Sequence, residues 1–232
     1  IETYNTAMAG EKIIYFHYDY FVEDKNNSAL DHWEITPGIA YGITDKLMID
    51  AHTHYAKFRD GSVADDRQGS YGEDGPSPFF EALAISVLYR ITDDGPWHAA
   101  ASAVAEFPFS RSKEVLGSED NVYGGAFIFG RNFGQHSMVV ANIGYEKEGD
   151  EDEWFWALGI KAPLGADPHG IAGGIEVLGD FDGTRWSVLP GVYAPLGESI
   201  QLKVGFEIGQ QKDDNDSWVG TTRFSTAVMY RF

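Results

Sequence analysis

A chain of 232 residues with 36 Asp and Glu against 17 Lys and Arg carries a formal charge of −19, which argues against a nucleic-acid partner, since phosphate needs a basic stripe to meet it. Cysteine is absent, so disulfides, thiolate nucleophiles and cysteine-held metals are excluded. No run approaches the roughly 20 consecutive apolar residues of a membrane-crossing helix; aromatics make up 14% of the chain and helix-start signals are scarce, so strands are expected throughout one domain, residues 1–232.

The chain opens at Ile1 without a basic and apolar leader, as expected of a mature chain whose signal peptide was removed or of a trimmed one. Trp33, Ile35, Pro37, Ile39 and Tyr41 alternate with His32, Glu34, Thr36, Gly38 and Ala40. After a turn at Thr44-Asp45-Lys46, Leu47, Ile49, Ala51, Thr53 and Tyr55 share one face, with Met48, Asp50, His52 and His54 on the other. The pattern returns at Trp154, Trp156, Leu158 and Ile160 against Glu153, Phe155, Ala157, Gly159 and Lys161, and at Leu202, Val204, Phe206 and Ile208 against Gln201, Lys203, Gly205 and Glu207.

A soluble sandwich alternates in the same way, so the distinction rests on the turns. Short Gly, Pro and Asp punctuation falls at residues 44–46, 92–96, 131–135, 163–168 and 195–199. More acidic connections lie near 22–31, 59–77, 111–119, 147–152, 181–183 and 213–216. Short turns at one end and six loops at the other predict an all-β fold: a transmembrane antiparallel up-and-down β-barrel of about 12 strands with short periplasmic turns and longer outer loops. Tyr41, Tyr89, Phe129, Tyr193 and Tyr230 fall where strands arrive at the turns, and Trp33, Trp154, Trp186 and Trp218 fall near the loops. Two such girdles mark the interfaces between headgroups and hydrocarbon.

The closing run Thr222, Phe224, Thr226, Val228, Tyr230 and Phe232 alternates with Arg223, Ser225, Ala227, Met229 and Arg231. It resembles the terminal strand that the barrel-assembly machinery recognises in bacterial outer-membrane proteins, with Val228, Tyr230 and Phe232 as the signal. More narrowly, length, strand count, the turn Tyr41-Gly42-Ile43-Thr44-Asp45-Lys46-Leu47 and the closing strand resemble a family of small outer-membrane channels named for the MetA pathway of phenol degradation. The resemblance implies passive diffusion of small molecules, apolar or aromatic ones among them, through the bacterial outer membrane. It implies no catalytic residue and no cofactor. The partners expected are outer-membrane lipid and lipopolysaccharide, the assembly machinery during biogenesis and a small-molecule permeant, with the barrel a monomer.

With the apolar face toward lipid, the polar face lines a hydrated lumen. His17, Asp19, Glu34, Asp50, His52, Arg90, Glu106, Asn142, Glu176, Lys203, Glu207 and Arg223 are its selectivity candidates, and the acidic majority predicts a preference for cations. Gly38, Ala40, Ala82, Ala84, Ser86, Ala100 and Ser102 on the same face predict an open path, and the longest loop, 59–77, is a candidate to fold inward and narrow it. The acidic clusters Asp65-Asp66, Glu148 to Glu153 and Asp213-Asp214-Asp216 match no calcium-loop spacing. His52 and His54 share a face, yet sequence places no third ligand beside them, so no metal site is expected. Two alternatives remain: a barrel enzyme acting on lipid, and a closed adhesive or structural barrel. Against the enzyme, His17, His32, His52, His54 and His98 fall on the polar face, while His136 and His169 lie by short turns.

Overall fold

The computed structural model describes residues 7–22, 31–58, 78–92, 95–110, 120–133, 137–165, 167, 170–212 and 216–232. Twelve strands follow one another: β1 (Lys12–Val22), β2 (His32–Thr44), β3 (Leu47–Phe58), β4 (Phe79–Arg90), β5 (Trp97–Pro108), β6 (Val122–Phe133), β7 (Ser137–Glu148), β8 (Glu151–Pro163), β9 (Ala172–Asp180), β10 (Arg185–Pro195), β11 (Ile200–Lys212) and β12 (Trp218–Arg231). Each pairs antiparallel with its neighbours in sequence, and β12 returns to β1, giving a closed barrel. The seam is fastened at its end by the Lys12 amide donating to the Phe232 carbonyl at 2.9 Å and the Phe232 amide donating to the Lys12 carbonyl at 3.0 Å. Closure leaves no strand edge unpaired, the condition under which a sheet can sit in lipid.

Alternation along the strands sorts the side chains. Phe16, Ile39, Ile49, Phe127, Phe129, Leu158, Ile160, Ile175, Phe206 and Phe224 all stand exposed on the outer wall, while Asp19, Asp50, Asn142 and Glu176 are buried inside it. This is the inverse of a water-soluble domain, in which large apolar patches of this kind are covered. The apolar exterior and closed sheet define a transmembrane barrel of the bacterial outer-membrane type. Tyr41, Tyr89, Phe129 and Tyr230 form the girdle at the turn end, and Trp154, Trp186 and Trp218 stand exposed near the loops.

Tyr193 differs from expectation. It shares its face with Ser187 and Leu189, both buried inside the barrel, and its hydroxyl donates to Glu176 Oε1 at 2.9 Å. The ring therefore belongs to the inner wall rather than to the girdle, because parity along β10 outranks its place near a turn.

The connections at the loop end are less uniform than the acidic stretches suggest. The stretch 147–152 belongs mostly to strands, joined by Gly149-Asp150 alone, with Gly149 at φ +55°, a conformation that glycine adopts freely. Between β9 and β10, Asp180 closes a short turn by accepting from the Thr184 amide at 2.8 Å. Loop 59–77, the clusters Asp65-Asp66 and Asp213-Asp214, and His136 and His169 lie outside the described residues.

At the turn end, the segment before β1 crosses toward the β2–β3 turn. Ala7 is fully buried with its amide 3.4 Å from Met48 Sδ, the Ala9 amide donates to Asp45 Oδ1 at 3.0 Å, and the Gly10 amide donates to the Gly42 carbonyl at 2.8 Å. A Cβ at residue 42 would run into the Met8 carbonyl, so this crossing requires the glycine.

Candidate functional site: the lumen wall

All twelve lumen candidates sit on the inner face, and the strand register brings most of them into three groups. The first lies on β1, β2 and β3. The Tyr15 hydroxyl donates to Asp50 Oδ2 at 2.7 Å and lies 3.1 Å from His52 Nδ1, which is itself 2.7 Å from Asp50 Oδ1. Beside it, His54 Nδ1 lies 2.5 Å from Glu34 Oε1, and the Thr36 hydroxyl donates to the same oxygen at 2.6 Å. His17 packs against the Tyr15 ring, with centroids 5.2 Å apart.

The second group spans the seam. Arg223 on β12 reaches Glu207 on β11 at 2.5 Å and Asp19 on β1 at 3.9 Å. The third lies across the barrel, where Glu176 on β9 accepts from Tyr193 and pairs with Lys203 Nζ at 3.3 Å. Lys161 on β8 stands 4.4 Å above the Tyr193 ring. Asp50 and Glu176 are both more than nine-tenths buried, and each has the partner that a buried carboxylate requires.

Three candidates stand apart. Arg90 is at the turn end, where its guanidinium donates to the Asp45 carbonyl at 3.0 Å. Asn142 is buried on β7, and Glu106 faces the lumen from β5 without a hydrogen bond or ion pair among the described residues. The pairing puts Glu106 directly opposite Ala84 on β4, on the same side of the barrel as the first group.

Part of the space that small inner residues were expected to leave is filled. The Tyr15 ring lies over Gly38, its cross-strand partner. Near the turns, Leu88, Ala100, Ile128 and Val140 form a buried cluster, with Met48 and Met138 packed against it. The alanines and glycines thus make room for neighbouring side chains, and an apolar layer packs the turn end on the β3–β7 side.

Sequence reasoning missed Glu81. Counting back by twos from Ser86, Ala84 and Ala82, residue 81 falls on the lipid face. In the structure Thr53 pairs with Leu83 but Tyr55 pairs with Phe80, so β4 carries one extra residue opposite His54. At this β-bulge the Thr53 hydroxyl donates to the Ala82 carbonyl at 2.7 Å, and Glu81 turns inward together with Ala82. Tyr15 was missed for another reason: it shares the inner face with His17 and Asp19, which parity alone could have shown, but an aromatic ring reads first as a lipid contact.

No family model matches the chain, and no curated protein does. Among solved structures the barrel is similar to the COG4313 outer membrane channel from Pseudomonas putida F1, with a TM-score of 0.65, 10% identity and 100% of each chain covered. A KdgM porin in complex with disordered oligogalacturonate gives a TM-score of 0.62 at 9% identity over 95% of this chain and 99% of that one. The NanC porin gives 0.59 at 8% identity over 94% and 98%. At these identities the likeness is one of fold.

Proposed function

We propose that the barrel is a channel for passive diffusion of small solutes across the outer membrane, with a preference for cations. The observation that carries this reading is the imbalance of charge on the inner wall. Arg90, Lys161, Lys203 and Arg223 are the bases of that wall as the strands place them, against the carboxylates of Asp19, Glu34, Asp50, Glu81, Glu106, Glu176 and Glu207, so acids outnumber bases. A surplus of carboxylates on the wall of a hydrated lumen attracts cations, as acidic rings do in other channels. Passage of small solutes, aromatic or apolar ones among them, is what the resemblance to phenol-pathway channels implies. Porins and channels that share the fold support the transport role.

The enzyme alternative is disfavoured by placement: His17, His32, His52, His54 and His98 all face the lumen, away from any lipid ester. We read the barrel as a monomer, since the sheet closes within one chain and needs no second copy to complete it. Val228, Tyr230 and Phe232 stand exposed together on the outer wall, with the last two rings stacked at 5.5 Å, which supports their role as an assembly signal. Deletion of Phe232 is expected to lower the folded, heat-modifiable barrel in the outer membrane severalfold without altering synthesis. An unchanged folded yield would remove that role.

The test of the channel is single-channel recording of the detergent-purified protein in a planar bilayer, with the reversal potential taken across a salt gradient. Discrete steps with a reversal potential on the cation side are expected, and Glu106→Gln should move that potential toward zero. Silence from protein shown to be inserted and folded would overturn the channel and favour a closed adhesive or enzymatic barrel.

A further inference from the structure

Three side chains on the loop-side half of the lumen converge from three strands. Glu34 on β2, His54 on β3 and Glu81 on β4 each offer one donor atom, and these atoms all lie within 4.8 Å of one another, each residue half-buried. We propose that they form a lumen site for a divalent first-row transition-metal ion of the Zn²⁺ class, held by one imidazole nitrogen and two carboxylate oxygens.

The chemistry of the donors selects the ion. Imidazole with carboxylates is the ligand set of zinc and its first-row neighbours, whereas Ca²⁺ and Mg²⁺ call for shells made of oxygen alone. The geometry is within reach: two donors on one tetrahedral ion at about 2.1 Å stand about 3.4 Å apart, so the His54–Glu34 contact, now 2.5 Å, must open and the widest pair needs an inward movement. The Glu81 carboxylate is the member able to make it, since it has no hydrogen bond or ion pair among the described residues. Glu34 and His54 already touch at 2.5 Å, and an ion would take the place of the proton they share.

Two further features fit a ligand site. The Thr36 hydroxyl, donating to Glu34 Oε1 at 2.6 Å, fixes that carboxylate as outer-sphere partners of metal ligands do. The extra residue in β4 is what brings Glu81 inward opposite His54, and bulges recur where a side chain must be re-aimed beside a functional site. Three protein ligands leave a coordination position open to water or to a passing solute, so the ion would be exchangeable and would sit on the permeation path.

Calorimetry of folded, tag-free protein in detergent, titrated with ZnCl₂, tests the site without reference to conduction. One Zn²⁺ per chain is expected to bind through these residues, with no comparable heat from CaCl₂ or MgCl₂. Thr36→Val should weaken binding about tenfold, and Glu81→Gln and His54→Gln should weaken it further, while Glu176→Gln across the barrel should leave it unchanged. Should a variant fail to fold, Co²⁺ absorption of the wild-type protein reads the ligand set directly, as visible bands of a low-coordinate ion displaced by one equivalent of Zn²⁺. Absence of Zn²⁺ binding, equal binding by Glu81→Gln and His54→Gln, or a Co²⁺ spectrum like that of the hydrated ion would overturn the proposal and leave the bulge as a device that keeps a carboxylate out of lipid.

Discussion

Phe127→Arg is expected to destabilise the folded barrel by about 2–4 kcal/mol, the depth-dependent cost of a guanidinium at the bilayer midplane on the outside of a barrel. Phe127 lies midway along β6, pairs with Ala101 and Ile143, and is 58% exposed on the outer wall. In lipid its ring costs nothing, whereas an arginine there must snorkel or draw water inward. The same change at Tyr123, at the loop end of that strand, is expected to cost about 0–1 kcal/mol because the guanidinium reaches the headgroups. Unfolding in guanidinium from phospholipid vesicles, followed by tryptophan fluorescence, measures both. Equal losses at the two positions would contradict the depth assigned to them.

One residue further, the opposite wall sets the outcome. Ile128→Ala is expected to cost about 2–5 kcal/mol, as for other truncations of a buried aliphatic side chain, and to raise single-channel conductance. Ile128 is fully buried among Leu88, Ala100 and Val140, so removing its branch both leaves a cavity and thins the apolar layer at the turn end. A loss of stability without a rise in conductance would place that layer off the permeation path. Adjacent residues on one strand thus answer to different solvents: Phe127 to hydrocarbon, Ile128 to the packed interior.

That division explains how much was legible in the sequence. Parity places His17, Asp19, Glu34, Asp50, His52, Glu106, Glu176, Lys203, Glu207 and Arg223 on the inner wall, because a period of two leaves one choice per strand once the apolar face is assigned to lipid. Parity fails where the backbone departs from regularity. The bulge in β4 has no signature in Phe80-Glu81-Ala82-Leu83 by itself, since it is defined by how β4 pairs with β3, and Glu81 was lost with it. Tyr193 shows the converse error, a regular strand read through residue type rather than face. Partnerships across the barrel, such as Arg223 with both Glu207 and Asp19, depend on stagger between strands and on closure, which pattern along one chain does not encode.

The seam between β1 and β12 sets the timetable of folding. Every other pairing joins strands adjacent in sequence and can zip from its turn, but Ile13 meets Arg231 and Val22 meets Thr222 only after the intervening sheet has curled round. This pairing closes the longest loop of any in the barrel and has no turn to zip from, so it belongs late. Until then both outermost strands are open templates for any extended chain nearby. Failure of assembly should therefore take the form of intermolecular sheet growth rather than of a collapsed coil, and whatever escorts this chain has two edges to guard.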